Sequence, residues 1–153
     1  MSFGPMVALR RDEPILVVGG GPVGYRKTCS LLDGGASVTL VSLEFCPELR
    51  ELIGKGIVTA EERGVQRGDF ERFRFAVLAL PPEATLEALR MREGTQCLVC
   101  CCSLPELGDF ALAAQWNHGN FRVGISSGGT DPAGAAKLKG LIRAFLEGKR
   151  LRR

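Results

Sequence analysis

The sequence predicts an α/β fold, a parallel sheet with helices on its faces, and three observations carry that expectation. Residues 15–18 and 75–80 are near-continuous apolar runs, the pattern of strands buried on both sides. Helix-compatible stretches separate such runs at βαβ spacing. Between the first run and the first such stretch stands Gly19-Gly20-Gly21-Pro22-Val23-Gly24, whose Gly-x-Gly-x-x-Gly spacing marks the turn of a dinucleotide-binding unit. Gly19 permits the tight turn, Gly21 lets a pyrophosphate approach the backbone, and Gly24 lets the helix pack on the strand. The phosphates would rest on a helix amino terminus, whose unpaired N–H groups favour anions. The expected fold is therefore Rossmann-like, and the expected ligand a nicotinamide or flavin dinucleotide.

The 153 residues suffice for one compact domain with an appendage, and an apolar content of 45% supplies a core. The net charge of +3 is modest, and basic residues are dispersed except at 149–153, expected as a solvated terminus, so no nucleic-acid partner is expected. Residues 1–11 lack a signal-type apolar run and no stretch reaches membrane-spanning length, so no membrane partner is expected and the location expected is cytoplasmic. Four of the six cysteines, Cys97, Cys100, Cys101 and Cys102, fall in one apolar run and read as small fillers of a buried strand. Cys97 and Cys100 would point to opposite faces and no second pair follows, so no metal site is expected.

Taken in order, residues 1–14 form a lead-in expected to lie across the sheet edge. The strand at 15–18 and a helix to Leu32 follow, Asp33-Gly34-Gly35 stops the helix, and 36–41 is the second strand. Many NAD-binding units place an acidic side chain about 20 residues past the glycines to hold the ribose hydroxyls. Here the strand runs into Ser42-Leu43-Glu44, so that contact falls to Ser42, the Leu43 backbone or Glu44, and the absence of a base there favours NAD over NADP. Residues 47–53 read as a short helix, 57–60 as a strand, and 63–74 as a polar loop or helical turn anchored by Phe70 and Phe73. The strand at 75–80 ends at Leu80-Pro81-Pro82, where dinucleotide folds approach the cofactor. A helix at 83–90, a strand at 97–102 and a turn at 103–106 come next. Beyond them the alternation weakens. Residues 110–116 are apolar without clear period, Asn117-His118-Gly119-Asn120 reads as a turn with His118 exposed, and 121–125 reads as a strand. The small-residue loop 126–132 leads into a helix at 133–147 with an apolar stripe of Leu138, Leu141, Ile142 and Phe145, to be covered by the same subunit or by a partner.

Over nearly its whole length the chain resembles the precorrin-2 dehydrogenase family, the amino-terminal module of siroheme synthases with sirohydrochlorin ferrochelatase activity. The resemblance is carried by Val17-Val18-Gly19-Gly20-Gly21-x-Val23-x-x-Arg26-Lys27, Gly35-Ala36-x-Val38-Thr39, Phe45-x-Pro47-Glu48-Leu49, Pro105-Glu106-Leu107-x-Asp109-Phe110 and Ile125-Ser126-Ser127-Gly128-Gly129-Thr130-x-Pro132. It implies NAD-dependent oxidation of the substrate precorrin-2 to sirohydrochlorin. It also implies a homodimer, with residues 1–109 as the NAD-binding domain and 110–153 as a dimerisation strand and helix that help enclose the tetrapyrrole. Pro22, Val23, Leu43 and Glu44 match NAD-contacting positions, and Ser127 matches a serine near the substrate cleft that is phosphorylated in some relatives. The family also departs from this chain. Its Asn-x-x-Asp on the fifth strand is Cys100-Cys101-Cys102-Ser103 here, with Ser103 in place of an aspartate implicated in both activities. Its Thr-Asp-Asp is Leu80-Pro81-Pro82, and its further helical segment has no counterpart before Arg153, so a reduced or separately supplied substrate lid is expected.

Serine cannot act as a base near neutral pH. Oxidation survives that loss through positioning alone, whereas iron insertion must remove two pyrrole protons, so ferrochelatase activity is expected to be weak or absent and left to a separate chelatase. Asp109 and Ser103 are the catalytic candidates, Asp109 alternatively being a turn or cap residue. Gly19, Gly20, Gly21, Pro22, Val23, Gly24, Ser42, Leu43, Glu44 and Leu80 are the cofactor candidates. Ser126, Ser127 and Gly128 either meet substrate carboxylates or cap the following helix. The alternatives are a catalytically silent relative that carries or senses NAD or tetrapyrrole, and a Rossmann regulatory subunit for another ligand.

Overall fold

A computed structural model describes residues 3–148, so the basic terminus at 149–153 lies outside the described residues. Five strands, β1 (Pro14–Val18), β2 (Ser37–Ser42), β3 (Thr59–Glu62), β4 (Phe75–Leu78) and β5 (Leu98–Cys101), form one parallel sheet in the order β3-β2-β1-β4-β5. The helices α1 (Pro22–Asp33), α2 (Pro47–Gly54), α3 (Arg67–Arg72) and α4 (Pro82–Arg92) are the crossovers. The fold is Rossmann-like. Chain order reverses at β1, which pairs with β2 on one side and β4 on the other, so the carboxyl ends of these strands open the crevice where such sheets bind ligands. The apolar run at 15–18 is explained by that central place, since all four residues are buried.

Residues 8–110 form one compact unit and residues 3–7 with 111–148 a second. The core of the first unit runs along one face of the sheet, where Leu16, Val18, Val41, Leu78, Val99 and Cys101 meet Phe70 and Phe73. Phe70 and Phe73 thus anchor the polar segment as expected. A charged constellation that the sequence did not disclose holds them there. Asp69, buried in α3, accepts both Arg63 Nη1 and Nη2 at 2.8 Å and the Gln66 amide at 2.8 Å, and Gln66 and Asp69 form a reciprocal capping box.

Three expectations are corrected. The lead-in does not lie across a sheet edge. The Asp12 amide donates to Gly35 O (2.8 Å) and the Ser37 amide to Glu13 O (3.1 Å), because the segment must enter the central strand, while the Phe3 amide donates to Gly128 O (2.7 Å) in the second unit. β3 starts two residues late, since the Ile57 amide closes the end of α2 on Leu52 O (3.1 Å). The carboxy-terminal segment holds two strands where one was expected. β6 (Ala114–His118) pairs antiparallel with β7 (Phe121–Ile125), so His118 is a half-buried strand residue opposite Phe121, and the turn is only Gly119-Asn120. Gly119, at φ +58°, supplies the left-handed conformation that a two-residue hairpin needs.

α5 (Pro132–Gly148) packs on that hairpin. Among the described residues of this unit only Trp116 and Ala135 are buried apolar side chains, while Leu138, Leu141 and Phe145 of the stripe are exposed and Ile142 is half-buried.

The Arg63 guanidinium holds the Asp69 carboxyl below its ordinary range, and the Gln66 amide adds to this. A lowered folded value means stabilisation that is full above the unfolded pKa and is lost as pH falls toward the folded one. Asp69→Asn is therefore expected to lower unfolding stability by about 2 kcal/mol at pH 7. In urea titrations the gap should close below about pH 4, the unfolded carboxylate value.

Candidate functional site

The fingerprint turn is held by contacts that leave no room for side chains. Gly19 has φ +117°, and a Cβ there would stand 2.3 Å from Ala79 O. One at Gly24 would stand 2.1 Å from Gly19 O, and one at Gly20 would stand 1.8 Å from Glu44 O and 2.9 Å from Ser42 Oγ. The Cys46 amide donates to Gly20 O (2.8 Å), tying the loop after β2 to the turn. Gly21 is different. A Cβ there would meet nothing within 4 Å, so the chain's own packing does not require glycine at this position. Gly21 is the N-cap of α1, which has no side-chain cap and no acidic residue in its first turn, and Gly21, Pro22 and Val23 are exposed. A helix start with free amides and no competing carboxylate suits a phosphate, so these residues fit a dinucleotide.

Ser42 ends β2 half-buried, and Leu43 and Glu44 project into solvent beside the turn. This loop is where the ribose contact is expected from the sequence, but its attachment to Gly20 through Glu44 O and the Cys46 amide was not foreseen. The partners are backbone atoms, which no residue type announces.

At the carboxyl ends of β4 and β5, Thr85 Oγ1 donates to Leu80 O (3.2 Å) and lies 3.0 Å from Ser103 Oγ. Thr85, fully buried in α4, was missed; its sequence signal is a lone β-branched hydroxyl four residues past Pro81. Ser103 is thus joined to a neutral hydroxyl next to half-buried Leu80. The thiols nearby are held protonated. Burial pushes Cys97 and Cys101 up to about 11, and a hydrogen bond with Cys100 together with burial pushes Cys102 far up. Among the described residues no group of three or more His, Cys, Asp or Glu could hold a metal ion, and no helix is long and apolar enough to cross a membrane.

The structure does not bring Asp109 to Ser103. Its Oδ2 accepts Arg92 Nη2 (2.6 Å) and the Val99 amide (2.8 Å), and its own amide donates to Val99 O (2.8 Å). Val99 lies two residues before the carboxyl end of β5, so Asp109 ties the chain along that strand's flank. In the second unit, Ser126 Oγ accepts the Gly128 amide (3.0 Å) and Ser127 Oγ the Asp131 amide (2.8 Å), while Asp131 Oδ1 accepts the Gly134 amide (2.7 Å). The serines shape the loop, and Asp131 caps α5. Gly128 turns the loop at φ +65°. Ser126, Ser127, Asp131 and Gly134 border a cavity of about 350 Å³ with Ile125, Ala135 and Leu138.

Residues 6–114 match the family described as "Putative NAD(P)-binding". Siroheme synthases of Methylococcus capsulatus and Thioalkalivibrio sulfidiphilus are each 32% identical to this chain over 95% of its length. The chain spans only about a third of those relatives, 31% and 30%. A solved structure titled "SirC, precorrin-2 dehydrogenase" superposes with a TM-score of 0.77 at 24% identity, covering 94% of this chain and 70% of that one, and so shares the fold.

Two glycine variants separate packing from binding. Gly21→Asp is expected to leave the melting temperature within about 2 °C and to abolish dinucleotide binding in a calorimetric titration, by placing a carboxylate at the anion-binding helix start. Gly20→Ala, which must push back Glu44 O, is expected to lower both stability and affinity.

Proposed function

We propose that this chain, which belongs to the NAD(P)-binding family just described, is an NAD-dependent dehydrogenase that oxidises precorrin-2 to sirohydrochlorin in siroheme synthesis. The observation that carries the reading is the open, uncapped start of α1 at Gly21, beside a β2 loop that locks Gly20 and a β4 end that locks Gly19. The siroheme synthases and the precorrin-2 dehydrogenase that resemble this chain supply the substrate class. NAD rather than NADP is favoured by Glu44, since a carboxylate at the ribose corner suits hydroxyls and repels a 2′-phosphate.

When bound, the nicotinamide supplies a hydride acceptor. The chain's own residues position and shield. The α1 amides hold the pyrophosphate, Pro22 and Val23 border it, and Ser42, Leu43 and Glu44 hold the adenosine ribose. Leu80 walls the site beside Ser103. The hydroxyl of Ser103, shared with Thr85, stays neutral near pH 7, so the proton released with the hydride passes to water and the rate comes from positioning. Asp109 is committed to Arg92 and the Val99 amide, which makes it a fold-holding residue in this reading. Ferrochelation, which needs a proton acceptor, is then weak or absent and falls to a separate chelatase. Ser126, Ser127 and Gly128 remain the candidate contacts for substrate carboxylates. The exposed stripe of Leu138, Leu141 and Phe145 is the candidate homodimer face. The neutral Ser103–Thr85 pair also favours a second reading, a silent carrier of NAD or tetrapyrrole.

An anaerobic assay of precorrin-2 with NAD+ tests the reading through NADH formation. Binding of both ligands without turnover selects the carrier. Ser103→Asp is expected to raise metal insertion into sirohydrochlorin by ~10²-fold or more, the contribution of a placed base, and dehydrogenation less. Leu141→Glu with Phe145→Glu is expected to convert a dimer into a monomer in analytical ultracentrifugation.

A further inference from the structure

The ribose corner is wired to a cation that the sequence did not single out. The Cys46 amide binds Gly20 O (2.8 Å), and the carbonyl of the preceding residue, Phe45, accepts Arg50 Nε (3.2 Å) from the first half of α2. The same guanidinium turns outward through Nη2 to Glu62 Oε1 at 2.8 Å, on the edge strand β3. Arg50 and Glu62 both line a notch of about 260 Å³, together with Phe45 and Ala60. Both side chains are about half exposed, at 55% and 51%, so the pair contributes little to stability and opens at little cost. Its consequence is electrostatic. One guanidinium serves Glu62, while Glu44, exposed in the loop after β2, has no ion-pair partner among the described residues.

Building on the dinucleotide reading of the fingerprint, we propose that Arg50 is a latent 2′-phosphate-binding group and that Glu62, by pairing with it, sets the preference for the cofactor lacking that phosphate. A guanidinium matches a phosphate with two parallel N–H donors, which is the fork that Glu62 partly occupies. Moving Arg50 to a 2′-phosphate leaves Glu62 unpaired beside a dianion. An unphosphorylated ribose makes no such demand and leaves the pair intact. Cofactor choice is thus governed from the edge strand, one shell beyond the residues that touch the nucleotide.

Calorimetric titration of the full chain with NAD+ and NADP+ tests this. The wild-type chain is expected to bind NAD+ more tightly. Glu62→Gln should strengthen NADP+ binding about tenfold, the value of one released charge-assisted contact, and leave NAD+ within about twofold. Adding Arg50→Gln should erase the gain. Arg50→Gln alone, which leaves Glu62 bare, should weaken NADP+ more than it weakens NAD+, and it reads the same pairing should the Glu62 variant fold poorly. An unmoved NADP+ to NAD+ ratio in Glu62→Gln, or a gain that survives removal of Arg50, overturns the role of the pair while the nucleotide site stands. A wild-type chain that binds neither dinucleotide overturns both.

Discussion

The constraint on which the rest of this structure depends is the meeting of three backbones at the carboxyl end of β1. The Gly19 turn lies against Ala79 O at the end of β4, Gly24 of α1 lies against Gly19 O, and Gly20 lies against Glu44 O after β2. Each approach is closer than any Cβ allows. The loop after β2 can therefore reach the turn, the first helix can begin directly over the central strand, and the two halves of the sheet share one crevice. The hydrophobic core supplies most of the driving force for folding, but this interlock decides where a ligand could go.

Much of the first unit was legible because its signals are local. Strands buried on both faces betray themselves as apolar runs, and the glycine spacing marks the turn. β1, β4 and β5 were located from such runs, with β4 closing two residues early where Leu80 O turns to meet Thr85. What was not legible depends on partners distant in sequence. The Arg63–Asp69 bond, the tie from Asp109 to Arg92 and the pairing of Arg50 with Glu62 read in the sequence as scattered charges. β6 escaped for a related reason. Ala114 to His118 alternates weakly, and its strand character comes from pairing with β7 rather than from its own pattern.

The candidate site shows the same division. Gly19 to Gly24, Ser42 and Glu44 stand together, as their spacing implies. Ser103 and Asp109 are only six residues apart, yet the 3₁₀ turn Pro105–Leu107 folds the chain back along β5, so the two serve different ends of one strand. Sequence proximity fails whenever a tight turn reverses direction between two polar residues.

The unequal duties of the four glycines change what the fingerprint means as a diagnostic. Three of them are obligations of architecture: a descendant that abandoned its ligand would still need Gly19, Gly20 and Gly24 to close the fold, and would keep looking like a nucleotide protein. Only position 21 is free of that debt, because nothing in the polypeptide leans on it. In a lineage drifting away from its ligand, the decay of the motif would begin at that one letter, and a pseudoenzyme would be betrayed there first.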